Sequence, residues 1–314
     1  MNIHYSTASE KILEQNISTV DLTPLALFRL GFMPGRDESR ENFHQRVHSC
    51  LTWSKGLDQQ DLILPEYKVA LQQASRIPKE HLYQDAAIIR QLYGACPDWV
   101  PAFLDDRQLP LLTAGMAVQL LDPPSQQVMT WFQLKPVFRL RSKWLIYSRQ
   151  EIISHEMCHV CRFPLQSQRY EESLAYKTST SSFRRKIGGA LLSSFDSKIL
   201  LLSLLSWVMV DMFSIFNFHI PLALSMFMRL FFPLLIILGL CRNFRIQKEL
   251  KLAENRLKDL FGDSASSVLF CLDDEQISQC SKLSTEALAR TLDPTFSWQF
   301  QFLEACFPRI YKPY

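Results

Sequence analysis

Residues 148–163, SRQEIISHEMCHVCRF, set the reading of this 314-residue chain. Ser148 and Glu151 form an S-x-x-E capping box, so a helix is predicted to start there. Pro164 should end it, because a proline ring clashes with the preceding turn and brings no N–H. On that helix Ile153, Met157, Val160 and Cys161 make an apolar back that anchors it as core. His155 and His159 lie on the less apolar face. At about 100° per residue, positions i and i+4 are about 40° apart, one turn up the same face, so both imidazoles can reach one metal ion. Glu156 falls to one side of that pair. Its carboxylate can then hydrogen-bond a metal-bound water instead of ligating the metal, the placement of a general base in H-E-x-x-H chemistry.

A hydrolytic zinc site takes three protein ligands and keeps one position open. Beyond Pro164 the sequence RYEESLAY (169–176) puts Glu171 and Glu172 on a second predicted helix. Upstream, Phe132 and Leu134 alternate with Gln133 and Lys135, and Phe138 and Leu140 with Arg139 and Arg141, the period of a half-buried strand. Pro136 within that run suits an edge strand or a bulge. Trp144 to Tyr147 reads as a second short strand.

From residue 129 to Ala175 the chain resembles the gluzincins, H-E-x-x-H metallopeptidases whose third ligand is a glutamate on a following helix. In several of them, the membrane-bound CAAX-prenyl-type proteases included, that glutamate is followed three residues on by a small alanine. Glu172 with Ala175 fits; Glu171 with Leu174 does not. The resemblance therefore implies Zn2+ held by His155, His159 and Glu172, with Glu156 activating the water and Glu171 as the alternative third ligand. The chain departs from the CAAX-prenyl-type pattern at Tyr176, where an aspartate often follows the alanine. It also has no series of spans ahead of the motif. The class implied is the broad zincin one, with a peptide or protein as substrate.

Two apolar runs follow. Residues 199–218 carry one charge, Asp211, and residues 220–240 carry one, Arg229. Each is long enough to cross about 30 Å of hydrocarbon. Arg184, Arg185, Lys186 and Lys198 precede them; Arg242, Arg245, Lys248 and Lys251 follow. The connection around Asn217-Phe218-His219 has no Lys or Arg. The positive-inside rule thus predicts an integral membrane hairpin with both termini cytoplasmic. A turn near residue 218 brings Asp211 within reach of the long Arg229 side chain, as a structural ion pair.

The rest bounds the alternatives. Apolar residues are 47% of the chain, and 34 basic residues balance 31 acidic ones to a net charge of +3. That excludes the basic excess of a dedicated nucleic-acid binder. Eight cysteines without regular spacing are not a disulfide framework, and Cys158 and Cys161 read as small core residues. Residues 1–30 interleave charged with apolar residues and contain no signal-peptide core. Residues 1–128 read as mostly helical with loops: Phe43, Val47 and Leu51 share one helix face, and a short helix ends near Gly94. After the spans, Ile246, Leu250, Ala253, Leu257 and Leu260 mark an amphipathic helix stopping at Gly262, with short helices over 275–284 and 297–307.

The expectation is an α+β, zincin-like cytoplasmic domain over residues 1–186, with an edge strand and an active-site helix. A transmembrane hairpin follows over 187–241 and a small helical cytoplasmic domain over 242–314. The expected activity is peptide-bond hydrolysis, on segments near the bilayer. The alternatives from other classes are a non-catalytic zincin-fold membrane scaffold, and a transporter or channel component built on Asp211 and Arg229.

Overall fold

The computed structural model describes residues 22–58, 75–106, 109, 113–122, 127–190, 194–216 and 221–310. Most of the amino-terminal stretch read for a signal peptide, and the turn at Asn217–His219, lie outside the described residues. The architecture is mixed α+β. Helices α1 (Pro24–Arg29) and α2 (Arg40–Asp58) come first, then strand β1 (Ser75–Arg76) and helices α3 (Lys79–Asp85) and α4 (Ala87–Tyr93). Gly94 closes α4 at φ 79°, a left-handed cap that favours glycine. Strands β2 (Ala102–Leu104), β3 (Gly115–Asp122) and β4 (Gln127–Leu134) complete a four-stranded sheet in the order β1-β2-β4-β3.

This sheet corrects two expectations. Residues 1–128 contain three strands that helical periodicity did not reveal. The alternating strand at 129–134 is also internal: β4 pairs parallel with β2, through Ala102–Phe132, and antiparallel with β3, from Gly115–Leu134 to Asp122–Gln127. The physical reason is that Pro136 lies past the strand. The ladder ends at Leu134, and residues 136–139 turn into a 3-10 helix that begins at the proline, so no ladder donor is lost. Phe138 is buried there, but Leu140 is 91% exposed and does not continue the alternation. The edge strand beside the H-E-x-x-H helix is β3.

A two-stranded hairpin, β5 (Lys143–Trp144) with β6 (Tyr147–Ser148), leads into α5 (Arg149–Arg162). The capping box is present: Ser148 Oγ accepts from Glu151 N at 3.2 Å, and Ser148 N donates to Glu151 Oε2 at 3.3 Å. Helix α5 packs along β3. Gly115 makes the approach close, since a Cβ there would lie 2.5 Å from Ile152 Cγ2. Two short helices follow, α6 (Glu171–Tyr176) and α7 (Ser182–Ile187).

Helices α8 (Ser194–Ile215) and α9 (Leu222–Phe261) are both long and apolar enough to cross a membrane. They pack on each other, with the Trp207 and Phe232 rings 5.8 Å apart. Arg229 Nη2 meets Asp211 Oδ1 at 2.8 Å, the pair expected from the hairpin register. At 1.5 Å per residue, the 40 residues of α9 run about 60 Å, about twice the thickness of a bilayer's hydrocarbon core. It ends at Gly262, φ 57°.

Helices α10 (Ala265–Phe270), α11 (Asp274–Lys282), α12 (Thr285–Thr291) and α13 (Trp298–Cys306) finish the described chain. They share one apolar core with the amino-terminal helices. Phe28 meets Phe307 edge-on at 4.9 Å, Phe43 meets Phe302 at 5.4 Å, and Tyr93 stacks on Phe270 at 4.1 Å. All eight cysteine thiols are unbridged, and only Cys241 is exposed.

Candidate metal centre

His155 and His159 extend from the same face of α5, and their Nε2 atoms stand 3.2 Å apart. Glu172, in the first turn of α6, brings Oε2 to 3.6 Å from His155 Nε2 and Oε1 to 3.6 Å from His159 Nε2. The three groups can hold a metal ion. The separations fit one: for metal–ligand bonds of 2.0–2.1 Å, the edge of a tetrahedron is about 3.3–3.4 Å.

The hydrogen positions make the same point. His159 Nδ1 lies 3.1 Å from Glu171 Oε1, and an ionised carboxylate only accepts, so Nδ1 carries the proton. In the neutral ring, Nε2 is then a lone pair. His155 gives a ring hydrogen to the Ala175 backbone carbonyl. Its Nε2 faces His159 and Glu172. With both rings neutral, two imidazole lone pairs and a carboxylate converge, the donor set a cation takes; without a metal, a proton on His159 fills that role.

Burial, then the neighbouring His159, drive the His155 pKa far down, so this ring stays neutral. Burial also opposes charge on His159. The Glu171 hydrogen bond and the charges of Glu171, Glu172 and Glu156 outweigh it and hold the metal-free ring at about 9. Burial pushes the Glu172 carboxyl up, against the pull of His159.

Glu171 sits behind the three groups that could hold a metal ion. Its Oε2 accepts from Arg162 Nε at 2.7 Å, and the Arg162 side chain is 0% exposed. For Glu171, burial is again opposed, here by Arg162 and His159, and the carboxyl stays below its usual range. Arg162 also donates to the carbonyls of Phe270 and Leu272 and to Ser167 Oγ. Asp274 accepts from the backbone N–H groups of Gln168, Arg169 and Tyr170, and so fixes the start of α6. Tyr170 Oη donates to Glu249 at 2.6 Å. The sequence between 242 and 314 carries no recognisable chemistry, yet it supplies the groups that aim Glu171 and Glu172.

Glu156 is 8% exposed, beside the ligands and apart from them. Its Oε2 accepts from the backbone N–H of Ala117 on β3, at 2.8 Å. Burial raises its pKa, against His159 and the Ala117 bond. Its Oε1 has no hydrogen-bond partner among the described residues. Tyr176 stands with its ring 4.7 Å from that of His155. Tyr147 and Tyr170 point elsewhere, under Arg184 and onto Glu249. Cys158 and Cys161 are fully buried with raised pKa values, so neither offers a thiolate.

Arg162 and the Ala117 amide escaped the sequence reading. An arginine in the last turn of a helix ordinarily reads as a favourable charge at its carboxyl end. A backbone N–H leaves no sequence signal. Comparison with protein-family models, with curated proteins and with solved structures finds no match to this chain.

Proposed function

We propose that this chain is a membrane-anchored zinc-dependent hydrolase of peptide bonds, with His155, His159 and Glu172 as metal ligands and Glu156 as general base. One observation carries the reading: two imidazole Nε2 atoms 3.2 Å apart meet the Glu172 carboxylate, one oxygen 3.6 Å from each, while a buried glutamate outside that group stands beside them. A zinc ion bound there would lower the pKa of a water molecule and polarise a substrate carbonyl.

The residues divide the remaining work. Glu156 Oε2 is held by the Ala117 amide, which leaves Oε1 to take a proton from the attacking water and pass it to the leaving nitrogen. Burial raises its pKa, which makes it a stronger base than an exposed glutamate. Glu171 keeps the His159 ring in one tautomer, and Arg162 holds Glu171. The Asp211–Arg229 pair satisfies its own charges, so it supplies no motive for a transporter reading.

The test is bound zinc per chain in the detergent-purified full-length protein. About one zinc is expected in wild type and in Glu156→Gln, with sharply weakened binding in His159→Ala and Glu172→Ala. Peptide cleavage should be lost in Glu156→Gln. Absence of zinc from the wild type after reconstitution would refute the reading, as would cleavage that survives Glu156→Gln.

A further inference from the structure

The β5–β6 hairpin carries an anomaly. Its two turn residues are Leu145 and Ile146, and Leu145 sits at φ 52°. A two-residue hairpin turn with positive φ favours glycine, asparagine or aspartate there. A leucine at that φ is strained, and here it gains no packing in exchange: Leu145 is 68% exposed and Ile146 69%. Leu140, just before the hairpin, is 91% exposed. Arg139, Arg141 and Lys143, next to the tip in the chain, are exposed, as are Arg185 and Lys186 on α7. None of the five forms an ion pair with a described acidic residue.

The hairpin is also tied to the segment that enters α8. Arg184 of α7 lies over the Tyr147 ring at 5.2 Å and pairs with Glu151 at the start of α5. Helix α7 is in turn pinned beside α9 where its apolar run ends. The Lys186 carbonyl accepts from Asn243 Nδ2, and the Ala190 carbonyl accepts from Arg242 Nη2 at 2.8 Å. Two to three residues separate Lys186 from Arg184 and Phe183, about 3–4.5 Å along a helix. Phe183 is 67% exposed. The hairpin thus stands within reach of the headgroup zone, with Trp144 and Tyr147, side chains typical of that zone, at its base.

We propose that this hairpin is a membrane-docking element: Leu145 and Ile146 enter the headgroup–acyl boundary of the leaflet nearer the metal centre, and the flanking cations meet anionic headgroups. The proposal rests on α8 and α9 spanning the bilayer and does not depend on the hydrolase reading. An exposed apolar tip with unpaired cations beside it in the chain is the pattern of an interfacial anchor. Docking would fix the face of the metal centre against the membrane. Tyr176 links the two: its ring touches His155 on one side and packs against Gly188, just beyond α7, on the other.

The experiment uses the full-length protein in vesicles of phosphatidylcholine and phosphatidylglycerol. In a Cys241→Ser background, an environment-sensitive fluorophore is placed at Ile146→Cys, at Met226→Cys within α9, and at Phe296→Cys, an exposed site on the carboxy-terminal helical region. Labelled variants are first checked for unchanged helix content and melting temperature. The Ile146 label is expected to be quenched by nitroxide lipids as the Met226 label is, and shielded from aqueous acrylamide. The Phe296 label should show the reverse. An Ile146 label quenched like Phe296, with Met226 still lipid-quenched, would overturn the docking and leave the spans standing. Shielding of Ile146 from both quenchers would mean a protein occupant, a second copy or another chain, and would also overturn it. An acrylamide-accessible Met226 would sink the spans and the docking together.

Discussion

Replacing Glu171 with glutamine separates the role of this residue from that of Glu172, its neighbour in sequence. Glu171 accepts from His159 Nδ1 at 3.1 Å through Oε1 and from Arg162 Nε at 2.7 Å through Oε2. Glutamine has one acceptor oxygen in that position, so it can serve one of the two donors and not both. If it serves Arg162, the His159 ring loses its orienting bond and zinc affinity should fall about 10–100-fold. That equals about 1.4–2.7 kcal/mol of binding free energy. In either case the carboxylate charge is gone, and Arg162, with a side chain 0% exposed, becomes a buried cation without its counter-ion. Breaking a buried pair costs about 3–5 kcal/mol. The lower end applies here, because Ser167 and the carbonyls of Phe270 and Leu272 still accept from the guanidinium. The variant should therefore fold with a clearly lower melting temperature, bind zinc weakly against a competing chelator, and gain less stability from added zinc than the wild type. Zinc affinity within twofold of wild type, together with an unchanged melting temperature, would refute the positioning role. Complete loss of binding matching Glu172→Ala would make Glu171 a direct ligand.

Other outcomes follow from the same geometry. Burial opposes the Glu151 charge, but Thr180 and Arg184 outweigh it and hold its pKa at about 2, below the usual 4.5. Because the folded value is depressed, its stabilisation is present above pH 4.5 and drains away between 4.5 and about 2; melting temperature against pH should show this, and Glu151→Gln should flatten it. Asp211→Asn leaves Arg229 unpaired within α9 and should destabilise the protein in bicelles by about 2.5–3.5 kcal/mol, whereas Asp211→Asn with Arg229→Gln should recover most of the loss. Leu145→Gly relieves a left-handed leucine and should raise stability in detergent by about 1 kcal/mol, read by chemical unfolding, since no packing is lost at this exposed tip.

What the sequence disclosed, and what it hid, divides along the range of the interactions involved. The capping box at Ser148, the i, i+4 pairing of His155 and His159, the apolar runs and the helix stop at Gly262 are all local. Each is written in residues within a turn or two of one another, and each is found in the structure. The Asp211–Arg229 pair was legible too, because a hairpin makes two distant residues local in depth. The sheet was not. Strand β2 is three residues long and pairs in parallel with β4, the strand after next in the chain, so no periodicity of its own marks it. Pro136 misled the placement of β4 because an alternating pattern of side chains runs past the ladder end into a 3-10 turn.

The least legible link is the one between the two ends of the chain. Arg162 is satisfied by the carbonyls of Phe270 and Leu272, and the amino end of α6 by Asp274, more than a hundred residues away in sequence. Glu249 holds Tyr170, and Glu254 meets Lys177 at 3.0 Å. These partners come from α9 and from the helices behind it, so the chain passes through α8 and back along α9 before it can supply them. Without them Arg162 would keep Glu171 and Ser167 but lose both backbone acceptors, and a buried guanidinium short of acceptors is costly. The placement of Glu172 against the two histidines therefore depends on α9 being seated. In this architecture the apolar hairpin lies, along the chain, between three residues that can hold a metal ion and the groups that hold them in shape, so this donor set is supported only when α9 is seated.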